Sequence, residues 1–234
     1  LFGFSLMAVM RYQLAYPAAV IPYIGEWFFS ESGGVMLPEN YNTLGAMHGT
    51  IMIFLGVVPL AVGAFGNYLV PLQVGAPDMA FPKLNAASYW SYFVGGVVMM
   101  ASFFTPEGAA RSGWTSYPPL SIFESGQTMW LIGMVFLITS SLLGSMNIIV
   151  TIVQLRAPGL TWFRLPFFTW TQLVTSFLLI LAFPPLEAAA VLQLMDRIAG
   201  TSFFLPSGLV YAGSAVEAYG NGSPLLWQHL FWFL

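Results

Sequence analysis

The sequence contains no cysteine and very few charged side chains. Its 234 residues include 6 Lys or Arg and 9 Asp or Glu, so charged residues make up 6% of the chain, whereas a soluble domain carries about 25%. So few charges cannot cover a water-facing surface, which excludes a soluble globular protein and a disordered segment. The absence of cysteine excludes disulfides, thiolate metal ligands and a cysteine nucleophile. A net charge of −3 offers no basic surface for nucleic acid, so we predict no nucleic-acid partner.

Hydrophobic residues make up 58% of the chain, and they are concentrated in long apolar runs. A membrane-spanning helix needs roughly 20 such residues. We therefore predict an all-α, polytopic transmembrane helix bundle in a lipid bilayer. Complete spans are expected over 44–73, 86–105, 127–155 and 165–194, and partial spans over 1–11 and 225–234. Since both partial runs lie at the ends, we expect residues 1–234 to form a single transmembrane domain that is truncated at both ends.

The connections between the runs alternate between two kinds. The short connections, 76–84 and 156–164, carry basic residues, whereas the long connections, 17–43, 106–126 and 196–224, are mainly acidic. Loops rich in Lys and Arg tend to stay on the side of synthesis. We therefore expect the short loops to face the cytoplasm or matrix and the long loops to face the periplasm or intermembrane space.

His48 lies inside the first complete apolar run, between Gly45 and Gly49. One interpretation is a histidine that hydrogen-bonds to a neighbouring helix. The other is an axial ligand to a haem iron, because imidazole is the usual donor and small neighbours let a large planar ring approach the backbone. The residues alone leave both interpretations open.

A second group of polar residues is spread over three of the runs and one short loop. Each amide or hydroxyl by itself is typical of helix capping or helix packing. Together with one carboxylate at the membrane edge, Asp78, they are what a water-filled proton path requires, since the carboxylate collects protons and neutral polar groups hold water. The other members are Asn67, Asn85, Ser88, Ser140, Ser141 and Asn147.

Several segments resemble one known family, and they occur in its order. They are MHGTIMI at 47–53, FGNYLVP at 65–71, GAPDMAFPKLN at 75–85, GWTSYPPL at 113–120, LRAPG at 155–159, MDR at 195–197 and WQHLFWF at 227–233. This pattern resembles subunit I of the A-type haem-copper oxygen reductases, from late helix I to early helix VI of a twelve-helix subunit. The Ala-Pro-Asp-Met sequence at 76–79 looks more like the cytochrome c oxidases than the quinol oxidases.

The resemblance implies a role for each matching cofactor residue. His48 would be one axial ligand of the low-spin haem a, Arg11 would hydrogen-bond the formyl group of that haem, and Tyr41 would lie near it. Trp114 would donate to a propionate of the high-spin haem, and Trp232 would pack beside the copper site. The ligands of haem a3 and of copper B would lie outside this chain.

The resemblance also implies that Asp78 is the mouth of the D proton pathway. Further members along that path would be Asn67, Asn85, Ser88, Ser140, Ser141 and Asn147. His229 is expected to be a hydrogen-bonding structural residue rather than a copper ligand.

The implied activity is that of a terminal respiratory oxidase. Electrons would pass from cytochrome c through haem a to a haem a3–copper centre that reduces oxygen to water, coupled to proton pumping. Expected partners are oxidase subunits II and III, cytochrome c and a respiratory supercomplex. The membrane would be the bacterial cytoplasmic membrane or the mitochondrial inner membrane. Two alternatives are a quinol-oxidising haem-copper oxidase and, more remotely, a non-enzymatic membrane transporter or structural subunit.

Glu187 departs from the expected pattern, because it stands within the apolar run 165–194. A lone carboxylate in lipid would be protonated or would cost several kcal/mol. We expect Glu187 to face the bundle and to serve an altered proton route or an interface with another subunit.

Overall fold

The computed structural model describes residues 1–106, 108–124, 126–218 and 220–233. Glu107, in a predicted acidic loop, and Leu234, the last residue of the final apolar run, lie outside the described residues.

The described part of the chain is built almost entirely of helices. Its one hairpin pairs strands Val210–Tyr211 (β1) and Ser214–Ala215 (β2). Short 3-10 turns occupy Ser30–Ser32, Ser102–Phe104 and Trp162–Arg164. The α-helices are α1 (Phe2–Ala15), α2 (Gly25–Phe28), α3 (Pro38–Thr50), α4 (Phe65–Val74), α5 (Pro82–Ala101), α6 (Leu120–Phe123), α7 (Gln127–Gln154), α8 (Phe167–Ile198) and α9 (Pro224–Phe231).

Four helical stretches of the described residues are long and apolar enough to cross a membrane: Pro38–Val74, Pro82–Phe104, Gln127–Gln154 and Phe167–Ile198. They coincide with the four complete spans predicted from the sequence. The predicted all-α transmembrane bundle is therefore confirmed, and the protein is an integral membrane protein. The terminal helices α1 and α9 are shorter, with 14 and 8 residues.

Three span boundaries lie four or more residues outside the prediction, because prolines and polar residues take part in the helix ends. The first span begins at Pro38, ahead of the apolar run, since proline suits the first helical position and Glu39 in the first turn favours the helix dipole. The second span begins at Pro82, since proline suits the start of a helix. The last span continues to Ile198. Its end is held by Asp196, whose Oδ2 accepts the backbone N–H of Phe204 at 2.8 Å.

The span Pro38–Val74 is not a uniform α-helix. Ile51–Val57 and Pro59–Ala64 are π-helical, a rare form that is often found at functional sites. Pro59 has no N–H to donate to the carbonyl oxygen of Leu55, one turn earlier. The hydroxyl of Tyr92 on α5 donates to that oxygen instead, at 2.9 Å. A side chain of a neighbouring helix therefore supports the backbone of the π-helical stretch close to the proline.

Helix α7 lies at the centre of the bundle and packs against α4, α5 and α8. Its contact with α5 is close because glycines face each other: a Cβ on Gly95 would lie 2.9 Å from the carbonyl oxygen of Gly133. Small residues permit such close approach of membrane helices. A buried hydrogen bond of 3.0 Å from Trp130 Nε1 to Thr50 Oγ1 joins α7 to α3.

This close approach predicts that Gly95 tolerates no side chain. In Gly95→Ala the added methyl would meet backbone and the Cβ of Phe136 at 2.9 Å, so we expect destabilisation by about 1–3 kcal/mol from overpacking. The adjacent Gly96→Ala is a matched control, because its Cβ would meet the flexible end of Leu55 at 3.4 Å. Thermal unfolding of the detergent-solubilised native complex measures both, and equal stability of the two variants would contradict the prediction.

Candidate functional site

The side chain of His48 is half-buried on α3 and is oriented by a backbone carbonyl of α1. Its Nδ1 lies 2.7 Å from the carbonyl oxygen of Gly3. Because a carbonyl oxygen only accepts, Nδ1 carries the proton and Nε2 of the neutral ring keeps its lone pair. No described residue hydrogen-bonds to Nε2. The structure thus combines the two interpretations left open by the sequence: a bond to a neighbouring helix and a nitrogen free to bind iron.

This arrangement fits an axial haem ligand. Iron-binding histidines usually donate their second ring N–H to a carbonyl or carboxylate, which fixes both the tautomer and the ring orientation. An axial ligand needs one histidine only. No group of three or more His, Cys, Asp or Glu that could hold a metal ion occurs among the described residues.

The residues predicted around His48 lie along the contact between α1 and α3. Tyr41 is about two helical turns before His48 on the same face of α3, and it packs against the small apolar cluster around Met10. Gly45 also contacts Met10, since a Cβ there would lie 3.3 Å from the Met10 Cε. Arg11, the next residue on α1, is exposed and forms no hydrogen bond or ion pair with any described residue, so its guanidinium donors are free.

The structure brings together the two tryptophans predicted near the cofactors. The ring centroids of Trp114 and Trp232 are 6.1 Å apart in an edge-to-face arrangement, and Phe231 lies 5.7 Å from Trp114. Trp114 also packs on Gly49, next to His48, with its Cδ1 3.3 Å from where a Cβ would stand. The indole N–H of Trp114 has no partner among the described residues, which leaves a donor available.

Sequence reasoning missed Tyr117, whose hydroxyl accepts a hydrogen bond from Trp232 Nε1. Only its presence in the motif GWTSYPPL pointed to it. Trp232 is thereby tied to the same loop that carries Trp114.

A cavity of about 670 Å³ lies between the π-helical stretch and helices α5, α7 and α8. Most of its wall is apolar. Its polar lining includes five of the seven residues predicted along a proton path: Asn67, Asn85, Ser88, Ser140 and Ser141. Residues that are far apart in the sequence therefore meet at one space between the helices, which opens to the surface at Val57, Leu60 and Tyr89. Tyr92, which was not predicted from the sequence, also lines the cavity. The sequence signal for a hydrogen-bond donor near Leu55 was Pro59, which lies one turn later and has no N–H.

The polar groups of the cavity serve both packing and solvation. The Ser88 hydroxyl donates to the carbonyl oxygen of Ser140 at 2.8 Å, and the Ser140 hydroxyl donates to that of Ser88 at 2.7 Å. The amide of Asn67 donates to the carbonyl oxygen of Gly63 at 2.6 Å, but its Oδ1 is buried without a partner. Buried polar atoms are normally paired with protein or with ordered water. Asn67 Oδ1 therefore favours a hydrated cavity.

The other two predicted path residues do not line the cavity. Asp78 is exposed in the short loop before α5, where its Oδ1 accepts the backbone N–H of Met79 at 2.7 Å. Asn147 is buried, and its amide binds both the N–H and the carbonyl of Phe81, at 2.9 and 3.1 Å. Thr151 Oγ1 accepts the N–H of Ala80 at 2.9 Å. In this structure Asn147 thus fixes the loop that carries Asp78.

His229 is exposed on α9 and makes no hydrogen bond to a described residue. The hydrogen-bonding role expected for it from the sequence is therefore not seen in this structure.

Comparison with known proteins agrees with the resemblance found in the sequence. The family described as Cytochrome C and Quinol oxidase polypeptide I matches residues 1–234. The chain belongs to this family. A cytochrome c oxidase subunit 1 from Synechocystis sp. is 42% identical over 99% of the chain and 37% of the relative. Proteins of that name from Thermostichus vulcanus and Corynebacterium efficiens are 46% and 48% identical, over 84% and 83% of the chain and 33% and 32% of each relative.

Membership in this family relates the chain to the first polypeptide of the cytochrome c and quinol oxidases. It implies haem and copper as cofactors. The chain spans about a third of the length of the curated relatives it matches.

The contacts of Asn147 predict how the Asp78 loop is held in this oxidase polypeptide. Asn147→Ala would leave the Phe81 N–H without its acceptor, at a cost of about 1 kcal/mol or more, whereas the Phe81 carbonyl would keep the Asn85 N–H as a donor at 3.0 Å. We expect faster amide hydrogen exchange over residues 79–82. Thr43→Ala is the control, since that exposed hydroxyl bonds only within its own helix. Unchanged exchange over 79–82 in Asn147→Ala would contradict the assigned role.

Proposed function

We propose that this chain forms part of the core subunit of a cytochrome c oxidase. Electrons pass from cytochrome c through haem a to a haem a3–copper centre that reduces oxygen to water, and proton pumping is coupled to this transfer. The single observation that carries the proposal is the orientation of His48 by the Gly3 carbonyl, which leaves Nε2 free for iron. The named relatives support the same activity.

His48 would hold haem a through Nε2, and bound haem supplies a centre that gains and loses one electron. Arg11 supplies free guanidinium donors for a polar haem substituent, and Tyr41 lines the same face of α3. Trp114 offers an unpaired indole N–H to a propionate, while Trp232 packs against it at 6.1 Å. The carbonyl of Gly3 accepts a hydrogen bond from the Nδ1–H, which makes the imidazole a stronger ligand for iron.

The protein residues also support a route for protons. Asp78 is exposed, so its carboxylate can exchange protons with water at the membrane edge. Asn147 holds the loop of Asp78, and the cavity that includes Asn67, Asn85, Ser88, Ser140 and Ser141 provides polar groups for a chain of waters. Movement of charge across the bilayer stores about 2.3 kcal/mol per elementary charge per 100 mV.

The working complex would include oxidase subunits II and III, dock cytochrome c and associate in a respiratory supercomplex. It would lie in the bacterial cytoplasmic membrane or the mitochondrial inner membrane. The quinol-oxidising alternative shares all these residues. The sequence Ala-Pro-Asp-Met at 76–79 and the names of the relatives favour cytochrome c. Oxygen uptake by the native complex with reduced cytochrome c and with quinol would distinguish the two donors.

The role of His48 predicts the spectrum of a variant. In the complete native complex, His48→Ala would remove an iron ligand, so we expect loss of the low-spin haem band from the reduced-minus-oxidised visible spectrum. His229→Ala is the control, because His229 is an exposed histidine of the same chain. A normal haem spectrum in assembled His48→Ala would make His48 a packing residue and would refute the proposed function.

The role of Asp78 predicts a second effect. Asp78→Asn keeps an acceptor for the Met79 N–H but cannot carry a proton, so we expect turnover to fall by about tenfold or more while the haem spectrum stays unchanged. Glu26→Gln removes an exposed carboxylate from the long loop 17–43 and should leave turnover unchanged. Equal turnover of Asp78→Asn and Glu26→Gln would rule out Asp78 as the mouth of the proton path.

A further inference from the structure

Glu187 stands alone among the charged residues of the membrane spans. The other Asp, Glu, Lys and Arg residues of the four candidate spans lie within two residues of a span end, and they are Glu39, Lys83, Asp196 and Arg197. Glu187 lies in the interior of α8, directly after Pro184, Pro185 and Leu186. A carboxyl group at this depth is costly, and such groups usually mark proton or ion pathways.

The side chain of Glu187 faces the bundle, as expected from the sequence. It is half-buried, and its Oε1 accepts a hydrogen bond of 2.7 Å from the hydroxyl of Thr139 on α7. Its second oxygen, Oε2, has no hydrogen-bond partner among the described residues. Helix α7, which faces it, contains no titratable side chain. No neighbouring charge of that helix therefore compensates an ionised Glu187.

Asp196, on the same helix, shows what a purely structural carboxylate is like here. Its Oδ1 accepts the Thr201 hydroxyl and the Phe203 N–H at 2.6 and 2.8 Å, and its Oδ2 accepts the Phe204 N–H at 2.8 Å. Both of its oxygens are engaged in holding the chain after α8. Glu187, by contrast, has one donor on one oxygen and keeps Oε2 available.

The Glu187–Thr139 pair is not part of the cavity lining and lies about one helical turn beyond it on α8. Phe183, one helical turn before Glu187 on the same face of α8, lines the cavity, and so does Ser140, the neighbour of Thr139. Helical side chains point back toward the helix N-terminus, which directs Glu187 toward Phe183. Helix α8 begins after the short loop 156–164, which is expected on the same side of the membrane as the short loop that carries Asp78. Along α8 from that side, the cavity residue Phe183 comes first and Glu187 follows it.

We propose that Glu187 is a proton-carrying carboxyl group at the far end of this cavity. It takes a proton from hydrated protons in the cavity, forming an O–H bond at Oε2, and breaks that bond when it passes the proton on; no electron is transferred to or from Glu187. Thr139 positions the carboxyl group by donating to Oε1. This inference rests on the proposed oxidase function and adds a residue to its proton route.

The two members of the pair allow proton transfer to be separated from packing. Glu187→Gln keeps an oxygen acceptor for Thr139 but cannot carry a proton, whereas Thr139→Val removes the hydrogen bond and leaves the carboxyl group in place. Glu187→Asp keeps a titratable group on a shorter side chain. Thr171→Val is the control, because the exposed Thr171 hydroxyl bonds only to the Phe168 carbonyl of its own helix.

The experiment uses the complete native complex in phospholipid vesicles and measures oxygen uptake, protons released per electron, and the redox-difference infrared spectrum. We expect Glu187→Gln to lower turnover by about tenfold or more with unchanged haem bands, and to abolish a carboxyl C=O stretching band that the wild type shows. Glu187→Asp should restore part of the turnover. Thr139→Val should shift that band, and Thr171→Val should match the wild type.

If Glu187 had only a structural role, the effects on turnover would be reversed: Thr139→Val would be impaired and Glu187→Gln would be normal. That reversal, or wild-type turnover and proton release in Glu187→Gln, would overturn the inference. If Glu187→Gln does not assemble, the wild type is compared with Glu187→Asp. The inference would then be overturned if the wild-type infrared spectrum contains no carboxyl band that shifts in Glu187→Asp. A wild-type complex without oxygen uptake would instead refute the proposed function itself.

Discussion

Hydrogen-bonding groups inside a membrane have no water to pair with, and this constraint governs the arrangement of the bundle. Close to Pro59, which has no N–H to donate, the hydroxyl of Tyr92 from another helix donates to the Leu55 carbonyl oxygen at 2.9 Å. Ser88 and Ser140 each donate to the other's carbonyl oxygen. These bonds do more than join helices, because they hold polar side chains at the wall of a cavity whose remaining surface is largely apolar. The same groups that satisfy the backbone therefore also create a place where water can be held within the spans.

The constraint also explains why His48 is suited to bind iron. A histidine at membrane depth needs a partner for its N–H, and the carbonyl of Gly3 on α1 supplies it. That bond places the proton on Nδ1 and leaves the lone pair on Nε2. His48 can therefore bond to a neighbouring helix and bind iron at the same time. Glycine at positions 3, 45 and 49 allows the neighbouring groups to approach, as the contacts of Gly45 with Met10 and of Gly49 with Trp114 indicate.

The sequence predicted the four complete spans because their signal is composition alone, which does not depend on how helices pack. It also identified five residues that the fold gathers around the cavity. It could not predict that Asn147 would bind the backbone of Phe81 rather than line the cavity, because that depends on where the loop before α5 passes over α7. Nor did it predict the contact of Trp114 with Trp232, since Trp114 lies in an irregular loop and Trp232 directly follows α9. The π-helical stretch was not predicted either, because Pro59 indicates a missing backbone hydrogen bond but not the π-helical form found on both sides of Val58.

The number of hydrogen-bond donors to a carboxyl group distinguishes a structural role from a proton-carrying role in this bundle. Asp196 receives three hydrogen bonds, so removing it would release the chain that follows α8, and its charge is compensated by those donors. Glu187, which is half-buried, receives one, and its Oε2 has no donor among the described residues. A single donor is sufficient, however, to orient a carboxyl group. Since a residue needed only to join α7 and α8 could be a serine or threonine at much lower cost, the presence of an acid at position 187 is better explained by the proton it can exchange than by the bond it accepts.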